Sequence, residues 1–434
     1  MATRRWLGAA ADVKQVDTLS VTGTWGANDT IVLTVNNVTF TLTALASVTT
    51  AQVATALKQA FNGESLTDST SFSYSPAYAS TIGLFAELVA SVSTSTVTFT
   101  GRNGGVATTM TAAETAGSGG ITFTNVTVAT GRNWFSNQDN WSGNTVPVDG
   151  DDIVFDSGNV DCTDGLSPAI QPGSLTITMG YTGKIGRPDM NVPSTSSLTY
   201  PEYRTKFLTF DDNTTTNTVN IGSGIGQGSG RIKLDFGAGR ITGTVFNTGS
   251  RALPSDPSVI IKGTHASNTL TVMLGDVGVA VQTGDSTTIA TLRVGTNANS
   301  TAVVYVGSDT TLTTAVISGG STALLASSTT LTVHGGDVEQ RSGAPATAYL
   351  WGGTYKWKST STIGTGLTIG SSGKLDRSEE NRSATVTPVV QLHKGAVLLD
   401  PNSSITFTAG FKCNGCKLQD CQVDVGSGRT FTVA

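Results

Sequence analysis

The chain has 434 residues, of which only 13% are charged and 51 are glycine, and its formal net charge is −5. Such a composition argues against a broad nucleic-acid surface, which needs clustered Lys and Arg. The sequence contains no run of about 18 apolar residues, so no transmembrane helix is predicted. Four cysteines in a chain of this length do not indicate a disulfide scaffold.

Residues 1–16 are predicted to form an N-terminal arm. Arg4, Arg5 and Trp6 are its candidate contacts with a partner, and a frayed terminus is the alternative. The short apolar run that follows is interrupted by Asp12 and Lys14 before it reaches the length of a signal peptide. We therefore expect synthesis in the cytoplasm without export.

Residues 17–128 are predicted to form an α+β domain. The β-type runs 31–35 and 38–42 flank Asn36-Asn37, a pair that favours a hairpin, and strands are expected at 84–92 and 96–100. Residues 50–62 carry the strongest helical pattern, with four apolar residues on one face, a threonine N-cap at 49 or 50 and Gly63 as the stop. The helical face is expected to pack on the strands.

Residues 129–160 are predicted to form a junction that caps the segment after it. Trp134 and Trp141 lie in a loop rich in Gly and Asn, and we interpret them as structural, with sugar binding as the alternative. Four carboxylates follow closely, and either turn formation or calcium binding would explain them. They are Asp149, Asp151, Asp152 and Asp156.

Two sequence blocks carry a resemblance to known proteins. Asn140-Trp-Ser-Gly143, Val146-Pro147 and Gly150-Asp-Asp152 are similar to the segment that leads into the β-helix of surface and virion proteins. Upstream, Val21-Thr-Gly-Thr-Trp25, Leu33-Thr-Val35 and the run 51–58 resemble a domain of structural proteins of tailed bacteriophages. The resemblance is confined to the stretch 21–152 and implies a virion component, with no catalytic residues to transfer.

Residues 161–434 are predicted to form a parallel β-helix. Leu270, Ile289, Leu312 and Leu331 open short β segments at a period of roughly 20 residues, and the pattern resumes at Ile363 and Ile405. Such a period with Gly and Ser between the segments is typical of a solenoid, whose coils bury one another's apolar faces. Irregular excursions from the rod are expected near the prolines between 168 and 201.

Four aromatic residues lie close together in this region. Tyr349 and Trp351 form one i, i+2 pair, and Tyr355 and Trp357 form another, so each pair shares a strand face. An exposed pair would bind sugar or a protein partner, whereas a buried pair would pack a coil or a subunit interface. We assign all four as candidate interface residues and leave these alternatives open.

Other candidate chemistry is weaker. Cys413, Cys416 and Cys421 could pack as small apolar residues, form a disulfide, or bind zinc together with the distant Cys162. His265, His334 and His393 stand outside any known catalytic motif. The acidic pairs that include Glu339 and Glu380 are the nearest to a glycosidase arrangement, but nothing in the sequence sets the distance between two carboxylates.

These observations predict a mainly β, non-enzymatic protein with no cofactor and no metal ion. The resemblance implies a capsid decoration (cement) protein of a tailed phage, located at the capsid surface. Its partners would be the major capsid protein and further copies of itself in a homotrimer, with no nucleic acid and no membrane. A tail spike or fibre that binds a receptor or glycan is the alternative, and a bacterial surface adhesin is disfavoured.

Overall fold

A computed structural model of the chain describes residues 1–36, 38–75, 85, 87–189, 192–193, 199–200, 204–211, 216–253 and 256–427. The described chain is mainly β, and its elements form a small N-terminal α+β domain and a long parallel β-helix. The predicted fold class is therefore confirmed. The first strand, β1 (Thr3–Arg5), belongs to the β-helix.

The described part of the N-terminal domain contains two antiparallel four-stranded sheets and the helix α1 (Thr50–Asn62), which share one core. Its strands are β2 (Val16–Thr24), β3 (Thr30–Val35), β4 (Val38–Ala44), β5 (Phe72–Ser75), β6 (Leu88–Ser93), β7 (Thr96–Gly101), β8 (Met110–Thr115) and β9 (Ser118–Thr127). The sheet orders are β6-β7-β2-β9 and β5-β4-β3-β8. The predicted hairpin is confirmed as β3 and β4, while Asn37 and Leu84 lie outside the described residues.

The helix α1 (Thr50–Asn62) has the predicted bounds and the predicted ends. Thr49 and Gln52 form a reciprocal capping box, and Gly63 adopts φ 71°, the left-handed conformation that glycine accepts without strain. Leu57 and Phe61 are buried against the strands, where the apolar face of the helix belongs. Burying each of these two side chains stabilises the domain by roughly 1.5–3 kcal/mol.

The β-helix has two long parallel faces that share one continuous core. The strands of the first face are β1, β10 (Asp152–Phe155), β11 (Ser174–Thr178), β15 (Thr216–Ser223), β17 (Arg240–Val245), β19 (Thr269–Val272), β21 (Thr287–Val294), β23 (Thr310–Ile317), β25 (Ser328–Val333), β31 (Val390–Leu392) and β34 (Phe411–Cys413). The strands of the second face are β14 (Leu208–Thr209), β16 (Ile232–Asp235), β18 (Val259–Lys262), β20 (Asp276–Val279), β22 (Val303–Val306), β24 (Ser321–Leu324), β26 (Asp337–Gln340), β32 (Val397–Leu399) and β35 (Gln422–Asp424).

Two long strands cross from the first face to the second. They are β27 (Pro345–Trp357) and β29 (Gly366–Asp376), which pair with each other along both faces. A short third face forms beside them from β28 (Thr362–Ile363), β30 (Ala384–Val386) and β33 (Ile405–Phe407). Two single-turn 3-10 helices lie at Gln138–Asn140 and Leu418–Asp420.

The coils follow the predicted period, but the residues that open its segments do not all lie in one column. The inward column on the first face runs through Leu270, Leu292, Ala315, Leu331, Ala348, Leu367, Val390 and Phe411. Its members recur at an average of roughly 20 residues per coil, as expected of a solenoid. Leu270 nevertheless pairs with Leu292 rather than Ile289, because the coils differ in length.

Ile363 and Ile405 are not members of that column. Both lie on the third face, where Ile363 pairs with Val386 and Ile405 pairs with Ala384. The residue two coils beyond Ile363 is Phe407. The sequence period thus detects the coils correctly, whereas the face on which each apolar residue lies depends on where the chain bends.

The chain leaves the rod after Ile185 and returns at β14. Ile185 still bridges to Cys162 and to Ile232 in the stack, and the backbone N–H of Arg187 donates to Lys206 O at 2.8 Å. The short strands β12 (Val192–Pro193) and β13 (Thr199–Tyr200) pair between these two points. We call residues 186–207 the excursion. It lies in the proline-rich region where one was predicted, and Pro201 lies outside the described residues.

The prediction that residues 1–16 form a separate arm is corrected by the structure. Residues 3–5 pair in parallel with β10, so the arm and part of the predicted junction extend the β-helix N-terminal to residue 161. Trp6 is 2% exposed and packs against Trp141 and Phe155. The terminus is neither free nor frayed, because β1 completes the edge of the first coil.

Candidate functional site

The two aromatic pairs of β27 point in opposite directions. Up to Leu350 the strand lies on the first face, with even-numbered residues inward, so Tyr349 and Trp351 point outward. The pairing with β29 shifts by a residue between Leu350 and Gly352, and Gly353 has φ 70°. This bend moves the strand to the second face and reverses the alternation, since even-numbered residues point inward before it and Tyr355 and Trp357 point inward after it.

Tyr349 and Trp351 form an exposed pair of parallel rings. Their exposed fractions are 37% and 41%, their ring centroids lie 6.4 Å apart, and the interplanar angle is 3°. The Trp351 ring also lies 5.5 Å from the ring of His393. Tyr349, Trp351 and His393 are called the aromatic surface below.

Gly370 allows the tryptophan ring to lie flat on the next coil. A Cβ atom at this glycine would come within 2.6 Å of Trp351 Cε3. Because Gly370 has no side chain, the Trp351 ring can reach across that coil to His393, two coils away. The sequence contained no signal for this contact, because His393 is an isolated histidine far from Trp351 along the chain.

The neighbours of the aromatic surface are mostly uncharged and polar. Tyr349 pairs with Thr332 on one side and with Thr368 on the other, and the same column continues to Gln391 and Lys412. Stacking rings beside hydroxyl and amide groups can bind either the apolar side chains of a protein or the faces of sugar rings.

Tyr355 and Trp357 are not available to a partner, and their assignment as interface residues is corrected. Both are 0% exposed. Tyr355 occupies the inward column between Val338 and Leu375, and burial raises the pKa of its phenol. Trp357 Nε1 donates to Ser359 Oγ at 3.1 Å. A buried pair was predicted to pack either a coil or a subunit interface, and these two residues pack a coil.

Arg377 fixes Trp357 from the neighbouring coil. Its guanidinium carbon lies 4.9 Å from the Trp357 ring centroid, and it donates hydrogen bonds of 2.7 Å to Trp357 O, Ser359 O and Ser404 Oγ. Arg377 is 1% exposed, so the charge is buried and satisfied by carbonyl and hydroxyl oxygens. This polar cluster ties successive coils together and was not predicted.

Arg4 and Arg5 bind the terminus to its own chain. Arg4 Nε donates to Asp151 Oδ2 at 3.1 Å, and Arg5 pairs with Asp156. Partial burial opposes ionisation of Asp151, but the hydrogen bonds from Ala2 and Arg4 hold its pKa below the ordinary value. These contacts hold β1 in place and leave Trp6 buried, while the contact of Arg4 and Arg5 with a partner stays a prediction.

The four carboxylates of the junction act separately. Asp149 Oδ1 accepts from Gln171 N at 3.0 Å, and Asp152 Oδ1 accepts from Ser174 Oγ at 2.5 Å. Since the other two, Asp151 and Asp156, pair with arginines, the geometry favours the predicted turn and strand contacts over a shared cation.

The two junction tryptophans have different surroundings. Trp141 is fully buried at the N-terminal end of the β-helix core, 4.8 Å from Phe135 between ring centroids. Trp134 is partly exposed, and its Nε1 donates to Gly105 O of the N-terminal domain at 2.8 Å. It lines a cavity of about 400 Å³ beside the ion pair of Asp164 and Arg187. Trp141 has the position expected of a cap, and Trp134 contacts the other domain.

The acidic and thiol candidates do not converge on a reactive group. Arg341 lowers the pKa of Glu339, and Arg382 lowers that of Glu380 to about 2, whereas a glycosidase acid needs a raised pKa. All four cysteines are free thiols. Cys162 is buried in the core, and Cys416 and Cys421 donate to the carbonyl oxygens of Leu392 and His393.

Comparison of the chain with protein-family models, with curated proteins and with solved structures found no match. Within the described ranges, no helix combines the length and apolar character needed to cross a membrane.

Proposed function

We propose that this protein is a non-enzymatic structural component of a tailed-phage virion, namely a decoration (cement) protein of the head shell. The observation that carries the proposal is the aromatic surface, which places two large stacked rings in solvent on a rod with a continuous core. Tyr and Trp are the residues most enriched at the energetic centres of protein interfaces. A rod that exposes such a pair is suited to docking.

The continuous core of the rod supports a reinforcing role. One apolar core extends from Trp6 to Val425, and buried polar contacts such as those of Arg377 join neighbouring coils. In the proposed role, contacts that exist only in the assembled shell lower its free energy through linkage. The partner would be the major capsid protein, and a trimer of the chain would match local threefold points of the shell.

The test uses particles that lack the protein, with purified protein added back. Shells carrying the wild-type chain are expected to disassemble at a higher temperature than bare shells, and Trp351→Ala is expected to lose most of that gain. Val303→Ala is the matched control, because Val303 is also 41% exposed but lies on the second face. Equal disassembly temperatures for bare and wild-type shells would refute the cement role.

A second candidate function is recognition of a host receptor or glycan by a tail spike or fibre. The polar column beside Tyr349, together with the stacked rings, favours sugar binding at the same surface. The wild-type chain should then bind host cells or purified lipopolysaccharide, and Trp351→Ala should weaken that binding. Binding that Trp351→Ala leaves unchanged would exclude the aromatic surface as the receptor site.

A further inference from the structure

A lysine is buried on the outer side of the second face, where side chains normally meet solvent. Ile232 and Leu234 of β16 pair with core residues of β18, so Lys233 between them points away from the core. Its exposed fraction is nevertheless 0%. The excursion covers it, since a Cβ atom at Gly186 would lie 2.9 Å from Lys233 Cβ, and the Phe207 ring centroid is 5.8 Å from Nζ.

Two carboxyl groups adjoin the Lys233 amine, and a second lysine lies beyond one of them. Nζ contacts Asp189 Oδ2 directly and lies 3.3 Å from Asp256 Oδ2. On the far side of the same carboxyl group, Lys206 Nζ lies 3.1 Å from Asp189 Oδ1. The Asp256 Oδ2 atom is buried and accepts no hydrogen bond of good geometry from any described residue. Asp256 Oδ2 therefore lies near the Lys233 amine and can accept a proton from it.

We propose that Lys233 and Asp189 condense to form an intramolecular isopeptide bond, with Asp256 as the proton carrier and Lys206 as the stabiliser of the oxyanion. The site has a nucleophile in contact with both an electrophile and a base, and an oxyanion donor in contact with the electrophile, which is the geometry expected of a reactive centre. The inference concerns the covalent structure of the chain and is independent of the proposed virion role.

The reaction balances without any co-reactant. Lys233 first passes one proton to Asp189 Oδ2, which leaves a neutral amine facing a neutral carboxyl group. The nitrogen lone pair attacks Asp189 Cγ, the N–C bond forms, and negative charge develops on Oδ1, which faces the Lys206 ammonium. Asp256 takes a second proton from nitrogen and delivers it to the departing Oδ2. The Cγ–Oδ2 bond breaks and one water molecule leaves.

Position and burial both favour the forward reaction. Fixed contact between the amine and the carboxyl group replaces an encounter between separate molecules, and a covered site excludes the water that would hydrolyse the product. The four side chains carry two positive and two negative formal charges, so the first proton transfer creates no net charge. The bond would join residues 44 apart and fasten the excursion to β16.

The test is the intact mass of the full-length protein after denaturation. The wild-type chain is expected to be lighter than its sequence by the mass of one water molecule, and digestion should yield one joined peptide pair that contains residues 189 and 233. Lys233→Arg and Asp189→Ala should each restore the full mass. Asp256→Asn should slow the reaction and leave a mixture of both masses.

Lys262→Arg is the matched control. Lys262 also lies over the Phe207 ring, at 4.6 Å, and pairs with two aspartates, but it is not in contact with Asp189. This variant should keep the mass deficit. A folded wild-type chain with its full sequence mass would overturn the proposal and leave the contact as an ion pair. A mass deficit without the joined peptides would overturn it too, because it would place the water loss elsewhere.

Discussion

The stacked rings of Tyr349 and Trp351 and the buried rings of Tyr355 and Trp357 show how one strand serves two purposes. The first pair offers a surface, and the second pair fills the core beside Arg377. What separates them is a bend at a single glycine pair, where the side-chain alternation reverses. Substitutions at the two tryptophans should therefore have different consequences.

Trp357→Ala is expected to destabilise the fold by about 3–5 kcal/mol, because it leaves a cavity and removes the ring beneath the buried guanidinium of Arg377. Trp351→Ala is expected to change the free energy of unfolding by less than about 1 kcal/mol, since it removes a partly exposed side chain. Chemical denaturation of both variants against the wild type measures the difference. Equal losses would contradict the assignment of one ring to the core and one to the surface.

Glu380 gives the stability a defined dependence on pH. Hydrogen bonds from Arg382 and Asn381 lower its folded-state pKa from 4.5 to about 2. A lowered folded-state pKa contributes stability above the ordinary pKa, and this contribution is lost as the pH falls through the folded-state value. Glu380→Gln is therefore expected to melt below the wild type at pH 7, with the gap closing between pH 4.5 and 2.

Glu379→Gln serves as the control for that experiment, since its side chain is 75% exposed and lies 3.5 Å from Lys358. An exposed ion pair contributes little, so its melting temperature should follow the wild type at every pH. A gap at Glu380→Gln that persists unchanged in acid would show that the carboxylate charge is not the cause.

At the scale of elements, α1 depends on its ends as well as on its apolar face. Thr49→Ala removes the oxygen that accepts from Gln52 N and is expected to destabilise the helix by about 1 kcal/mol. Hydrogen exchange of the α1 amides should become faster. Thr55→Ala, within the helix, is the matched control and should slow exchange or leave it unchanged, because alanine has the higher helix propensity.

At the scale of the whole molecule, the β-helix requires protection at its N-terminal end. β1 covers the edge of β10, and Trp6 covers Trp141 and Phe155. Removing residues 1–6 exposes an unpaired strand edge beside apolar rings, an arrangement that promotes pairing between chains. The truncated chain is expected to form larger assemblies than the full chain, as measured by light scattering over a range of concentrations.

Arg5→Ala is the control for the truncation, because it removes an ion pair with a half-exposed arginine but keeps the strand and Trp6. Its assembly size should match that of the full chain. If the truncated chain also matched, the N-terminal strand would have no protective role and the cap would reside in Trp141 and its neighbours alone.

The local features of this protein could be predicted from its sequence alone. Apolar spacing and end residues located α1, the β3–β4 hairpin and the strand β7, because these patterns act between residues close in the chain. The period of the apolar segments likewise revealed the coils, since each coil repeats the need to bury its inner face.

The contacts between coils, and the choice of which residues face outward, required the folded chain. Coil lengths vary, so the partner of Leu270 is Leu292, and a bend in β27 sends Trp351 to solvent and Trp357 to the core. The burial of Lys233 depends on an excursion that is distant from it in sequence. Such pairings follow from the path of the chain in space, because strand alternation specifies that neighbouring residues face opposite ways but not which way is inward.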